Sequence, residues 1–251
     1  MLTRRTLLAT PMLMTACAQT VPAAPAAPVT PVAPVAPVTT AIELPLPGAG
    51  APMRAWLTLP RGYDESSWYR WPLLVFLHGS GECGTDLNAV RQHGPPKHVL
   101  AGREYPFILC SPQLEHDLPW PTDRLHALLG ALQARWRIDA ARVMATGLSL
   151  GGDGVWNWAA AYPADLAAMA PVCGAGDPAR ACRAHQVPVR AYHGAADDVV
   201  PLAAQQACVD ALRACGGKVE FIVYPGVGHG AWEPAYDDPA LVPWLMQQAR
   251  R

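Results

Sequence analysis

Gly147-Leu148-Ser149-Leu150-Gly151 sets a serine between two glycines, directly after the β-like run Arg142-Val143-Met144-Ala145-Thr146. A helical pattern follows over residues 150–162. Strand, sharp turn and helix in that order lift a serine hydroxyl above the edge of a sheet, as in a nucleophile elbow. The turn is tight, so glycine, which has no Cβ to clash, suits both flanking positions. A hydroxyl is a poor nucleophile until a base removes its proton. Histidine commonly serves, oriented and charge-balanced by a carboxylate. Asp197 and His229 follow Ser149 along the chain, each just after a β-like run. These three are the candidate nucleophile, acid and base. A structural turn serine is the plainer alternative for Ser149, because Gly and Ser also fill ordinary turns.

Positioning such groups needs a frame. Residues 72–77 and 106–110 are nearly continuous apolar runs, as expected of strands buried on both faces. Residues 142–146, 166–172, 187–192 and 219–224 read the same way, and residues 54–59 alternate like an edge strand. Helical patterns lie between them at 123–136, 150–162, 202–215 and 239–249. The alternation predicts an α/β fold with a mainly parallel sheet and helices on both faces. Ligands of such sheets bind beyond the carboxyl ends of the strands. His78-Gly79-Ser80-Gly81, Ser149, His193-Gly194-Ala195-Ala196-Asp197 and Gly228-His229 all fall at that edge.

Several separate motifs in this order resemble the α/β-hydrolases of the dienelactone hydrolase and phospholipase/carboxylesterase type. Secreted "predicted peptidase" and feruloyl-esterase-like members are the nearest in pattern. The matching residues are Leu77-His78-Gly79-Ser80-Gly81-Glu82, Ser111-Pro112-Gln113, the Ser149 elbow, His193-Gly194 with Asp197 and Val200-Pro201, and Gly228-His229 with Trp232. Cys83 and Gly230 depart from the pattern, where relatives often carry Arg and an acidic or polar residue. The resemblance implies an α/β-hydrolase fold with little or no lid. It implies Ser149 as nucleophile, His229 as base, and Asp197, three positions after Gly194, as acid. Asp198, Asp153 and Asp177 are the competitors for the acid role. The oxyanion donors are the backbone N–H of Leu150 and, by resemblance, that of Ser80. Trp232 and Trp120 are candidates to line the substrate pocket, whereas Trp156 and Trp158 are read as core. His78 and His193 are read as structural, and Glu82 either orders the oxyanion loop or faces solvent. No histidine has metal-like spacing, and no metal or cofactor is expected. The connection at 174–186 is short, so the pocket should be open and suit small or polymer-borne esters. The implied activity is carboxylic-ester hydrolysis through an acyl-enzyme. A serine peptidase of the same fold and a non-catalytic surface binding protein are the alternatives.

The 251 residues are 51% hydrophobic with a formal net charge of −1. That balance speaks against nucleic-acid binding, which needs a concentrated positive field. Residues 1–16 read as a signal peptide, with Arg4-Arg5 before a short apolar stretch. Thr3-Arg4-Arg5-Thr6-Leu7-Leu8 also resembles a twin-arginine signal. Leu13-Met14-Thr15-Ala16-Cys17 resembles a bacterial lipobox, which implies lipidation of Cys17 and a periplasmic or outer-membrane-anchored lipoprotein. A plain signal peptide with an incidental Cys is the alternative. Residues 17–40, rich in Pro, Ala and Val, read as a polyproline-II-like tether, and 41–251 as the catalytic domain. Contact with a membrane is expected through that lipid anchor alone, and the oligomeric state is left open. The remaining six cysteines permit disulfides. Cys208 and Cys215 on one helix would be about 10 Å apart by helical rise, too far to bridge. Cys173–Cys182 is the expected pair, with free buried thiols as the alternative.

Overall fold

The protein was analysed as a computed structural model, which describes residues 36–65 and 67–250. The leader, Cys17 and most of the tether lie outside the described residues. Eight strands form one sheet: β1 (Val38–Leu44), β2 (Met53–Leu59), β3 (Trp71–Leu77), β4 (Ile108–Pro112), β5 (Ile138–Leu148), β6 (Ala168–Val172), β7 (Val189–Gly194) and β8 (Val219–Tyr224). The helices are α1 (Gly94–Leu100), α2 (Thr122–Arg135), α3 (Leu150–Ala161), α4 (Pro178–Ala181), α5 (Leu202–Ala214), α6 (Trp232–Asp237) and α7 (Leu241–Met246). The strand order is β1-β2-β4-β3-β5-β6-β7-β8. β1 and β2 run antiparallel to their neighbours, and β3 to β8 are parallel.

The apolar runs are explained by burial on both faces. Side chains alternate across a strand, and β3 shows the consequence. Leu73, Val75 and Leu77 join the core layer that also holds Leu128 of α2, Trp158 of α3 and Val209 of α5. Leu74 and Phe76 join the opposite layer with Tyr236 of α6 and Leu245 of α7. Register then collects the strand ends. Leu77 of β3 pairs with Gly147 of β5, and Leu148 pairs with Val172 of β6. Val172 pairs with Tyr192 of β7, and Gly194 with Tyr224 of β8. The segments that follow β3, β5, β6, β7 and β8 therefore leave the sheet at one edge.

Two elements differ from the sequence reading. β2 is not the edge strand, because β1 covers it, pairing Thr40 with Leu57. β1 begins at Val38, inside the segment read as tether, where Val38, Thr39, Thr40 and Ile42 supply β-branched residues that suit a half-buried surface. The expected Cys173–Cys182 disulfide is not formed. Cys182 pairs with Cys215, whose Cα lies 5.7 Å away. Cys215 caps α5, so the bond ties the turn after α4 to the end of that helix. Cys173, at the end of β6, and Cys208, on the inner face of α5, are free buried thiols. Among the described residues no helix is long and apolar enough to cross a membrane.

Candidate active site

Ser149 sits between β5 and α3 with its backbone at φ 52° and ψ −120°. A non-glycine residue in that region costs about 1–3 kcal/mol and persists only where its surroundings impose it. Here they do. Its N–H donates to Val172 O at 3.0 Å, and its C=O accepts from Asp153 N–H at 3.0 Å. A Cβ on Gly151 would lie 2.0 Å from Leu77 O, and one on Gly147 would lie 2.4 Å from Gly151 O. The two glycines are thus required by close backbone packing, which presses the elbow onto the end of β3.

His229 lies in the loop after β8. Its Nε2 is 2.9 Å from Ser149 Oγ, and its Nδ1 is 2.8 Å from Asp197 Oδ2. The carboxylate acceptor places the ring hydrogen on Nδ1 and leaves Nε2 to accept from the serine hydroxyl. Asp197 follows β7 on a loop that folds back on its own carboxylate. Oδ1 accepts from the N–H of Val199 at 3.0 Å and of Val200 at 2.9 Å. Burial alone would raise this carboxyl. The hydrogen bond from His229, then the Val200 and Val199 amides, outweigh burial and hold it below the ordinary carboxylate range. Asp198 is exposed, and Asp177 accepts from Ala179 N–H at the start of α4. Asp153 accepts from the amides of Ala175 and Gly176, so its carboxylate shapes the loop after β6. Three competitors for the acid role are thereby placed elsewhere.

On the other side of Ser149, Ser80 begins a single 3-10 turn, Ser80–Glu82, and Leu150 begins α3. Amides at the first positions of a helix have no intrahelical acceptor, so both are available to a ligand oxygen by position. The loop is held from beneath. Glu82 is buried, and its Oε2 accepts from Gly79 N–H at 2.8 Å. Gln113 Nε2 donates to the carbonyls of Glu82 and Asp86 at 3.1 and 2.7 Å. His78 Nε2 accepts from Leu114 N–H at 3.0 Å, and its Nδ1–H donates to Gly79 O. Burial pushes His78 down to about 4, which keeps it neutral for this role. Glu82 therefore orders the loop, and His78 is structural.

Of the two tryptophans assigned to the pocket, Trp232 stands beside the site, edge-on to His229 with ring centroids 5.3 Å apart. Trp120 differs from that expectation. It is 3% exposed, its Nε1–H donates to His78 O at 3.2 Å, and its ring fills the space over Gly154 on α3. It is a strut between the end of β3 and α3, placed there because an indole can satisfy its one donor while filling a large apolar gap. Cys173 was not foreseen near the site. Its φ is 40°, and its sulfur lies with an Asp197 oxygen and a His229 nitrogen in a set of potential metal donors all within 4.8 Å. Burial raises this thiol to about 12, which disfavours the thiolate a metal would need. Asp197 and His229 are, moreover, already bonded to one another.

Residues 117–240 match the model of the Dienelactone hydrolase family. Over that stretch the chain is similar to this family. Ser149, Asp197 and His229 all lie within the matched stretch, while the Ser80 loop precedes it. A curated relative, "Putative carboxymethylenebutenolidase" of Methylorubrum extorquens, is 29% identical over 141 residues, 49% of this chain and 47% of the relative. The chain spans about half the length of the curated relatives it matches. Among solved structures, a thermostable esterase superposes with a TM-score of 0.72 at 28% identity, covering 84% of this chain and 63% of the esterase. Porphyromonas gingivalis dipeptidyl peptidase 4 superposes with a TM-score of 0.67 at 17% identity, covering 84% of this chain and 35% of the peptidase. The peptidase likeness is one of fold. The chain thus has an α/β-hydrolase fold, with the eight-stranded, mostly parallel sheet described above.

Proposed function

We propose that the protein is a serine hydrolase of carboxylic esters that works through an acyl-enzyme. One observation carries this reading: His229 reaches Ser149 Oγ with one ring nitrogen and Asp197 with the other, at 2.9 and 2.8 Å. In the first half-reaction Ser149 Oγ bonds to the ester carbonyl carbon while its proton passes to His229 Nε2. The carbonyl π pair moves to oxygen, which the N–H groups of Leu150 and Ser80 stabilise. Collapse breaks the bond to the alkoxy oxygen, which leaves as alcohol with the proton from His229. Water then repeats the sequence on the acyl-enzyme and releases the acid. Asp197 keeps Nδ1–H in place and balances the transient imidazolium. The segment after β6 carries only α4 and one 3-10 turn, so substrate reaches Ser149 without a helical cap. Small esters, or accessible ester groups on a polymer, fit such an opening. The domain works outside the cytoplasm, held by a lipid on Cys17, a reading supported by the Leu13–Cys17 pattern and the Cys182–Cys215 bond.

The test compares nitrophenyl acetate, butyrate and octanoate with the matching anilides, for the wild type and Ser149→Ala. Ester turnover should fall by about 10⁶-fold in kcat without Ser149. Equal rates in both proteins would remove Ser149 as nucleophile, and preferred anilide cleavage would make the protein a peptidase. Metabolic labelling with palmitate, lost in Cys17→Ala, tests the anchor.

A further inference from the structure

His193 is the last residue but one of β7, fully buried, and the mechanism above does not use it. Its ring nevertheless faces the acid. Nε2 lies 2.9 Å from Val200 O and 3.3 Å from Asp197 Oδ2. Both neighbours are oxygens without hydrogens, so a contact this close requires a hydrogen on Nε2. Nδ1 lies against Oε1 of Gln205, on α5, which is also fully buried; this oxygen too can only accept, so the ring donates from both nitrogens. Gln205 in turn donates from Nε2 to Pro171 O, in β6, at 3.3 Å. One polar line therefore runs from β6 through Gln205 and His193 to the Asp197 loop, and from there through His229 to Ser149. Each link is a different element of the fold, and the line is buried until it reaches His229.

We propose that His193, held by Gln205, is a positioning residue for Asp197. By donating from Nε2 to Val200 O and Asp197 Oδ2, it fixes the loop and the carboxylate rotamer that receives His229. Without it, Oδ2 keeps one donor, and Val200 keeps its N–H bond to Asp197 Oδ1 but loses the hold on its carbonyl. Buried networks tolerate a missing member poorly, because the partner left behind is neither bonded nor hydrated. The expected consequence is a misplaced acid, a loosely oriented His229 and a slower chemical step with substrate binding retained. This assignment rests on the serine-hydrolase reading only for its kinetic part.

The decisive experiment uses the intact chain. In 15N-histidine spectra of the wild type, His193 Nε2 should carry a slowly exchanging hydrogen. The His229 Nδ1–H, bonded to Asp197, should resonate at low field. Gln205→Leu should lower kcat by about 10²-fold, the scale of a misplaced catalytic group, with KM unchanged. It should also weaken the low-field His229 signal. Gln205→Glu, which keeps an oxygen facing Nδ1, should restore both. A wild-type Nε2 without hydrogen would overturn the proposal even if no variant folded. So would a folded Gln205→Leu with normal kcat and an intact His229 signal, or one whose loss lies wholly in KM. Ser149→Ala with full activity would instead sink the hydrolase reading and leave the spectra to decide on His193.

Discussion

The loop at residues 79–83 and the pair Asp197–His229 approach Ser149 from opposite sides of β5, and they are held by different means. The loop, the proposed source of the Ser80 oxyanion N–H, is braced several times over. Glu82 ties it internally at Gly79, Gln113 donates to Glu82 O, His78 joins Gly79 O to Leu114 N–H, and Trp120 holds His78 O in turn. The proposed acid and base supply side chains, and apart from the Val199 and Val200 amides on Asp197 Oδ1 their contacts run in one line from Pro171 to Ser149. Redundant bracing means that one lost brace loosens the loop and leaves it usable. The line has less reserve on the Oδ2 side of Asp197, where each side chain is held by the next, so a link broken there should be felt at Ser149. The comparison predicts asymmetric sensitivity around one serine.

The largest effect should come from the acid. Asp197→Asn keeps the shape and destroys the charge and the tautomer preference, and should lower kcat by about 10⁴-fold in a titration of active sites against turnover. A loss under tenfold would mean that another carboxylate serves His229. Next comes the disulfide that anchors the end of α5, the helix that carries Gln205. Reduction of Cys182–Cys215, which spans 33 positions, should cost about 3–4 kcal/mol of unfolding free energy. Denaturant curves with and without reductant read this directly, and residual activity below the melting range should be nearly normal.

On the opposite side the effects should be smaller and fall on stability. His78 must stay neutral, since Nε2 accepts from Leu114 N–H. Its folded value is lowered from 6.5 to about 4, chiefly by burial and partly offset by the Gly79 carbonyl. The stabilisation is therefore complete above pH 6.5 and is lost as pH falls towards about 4. The loss should total about 3 kcal/mol, and unfolding curves across that window should lose this slope in His78→Asn. Smallest of the four, Glu82→Ala removes one charge-assisted bond to Gly79 N–H, worth about 2 kcal/mol. Glu82→Gln keeps an acceptor and should stay close to wild type in both melting temperature and kcat. A collapse of kcat in Glu82→Ala comparable to Asp197→Asn would show that the loop has no redundancy after all.

Much of this architecture is legible in the chain. β3, β4 and β6 are apolar because both faces are covered, and that burial leaves a pattern any reader can find. The elbow is legible because close backbone packing leaves room for nothing but glycine at 147 and 151. Chain order together with the family resemblance singled out Ser149, Asp197 and His229, whose contacts span 80 and 32 positions. β1 escaped because its exposed residues merge with a proline-rich neighbour, and α1, α4 and α6 are too short to show a period. Trp120, Cys173, Gln205 and the partner of Cys182 carried no local signal, since their roles depend on what lies across the sheet. Sequence by itself determined which groups stand at the carboxyl edge, because strand pattern and residue type are local properties. Tertiary structure alone decided which of them touch and what braces them, because strand register and helix packing set distances that no spacing along the chain encodes.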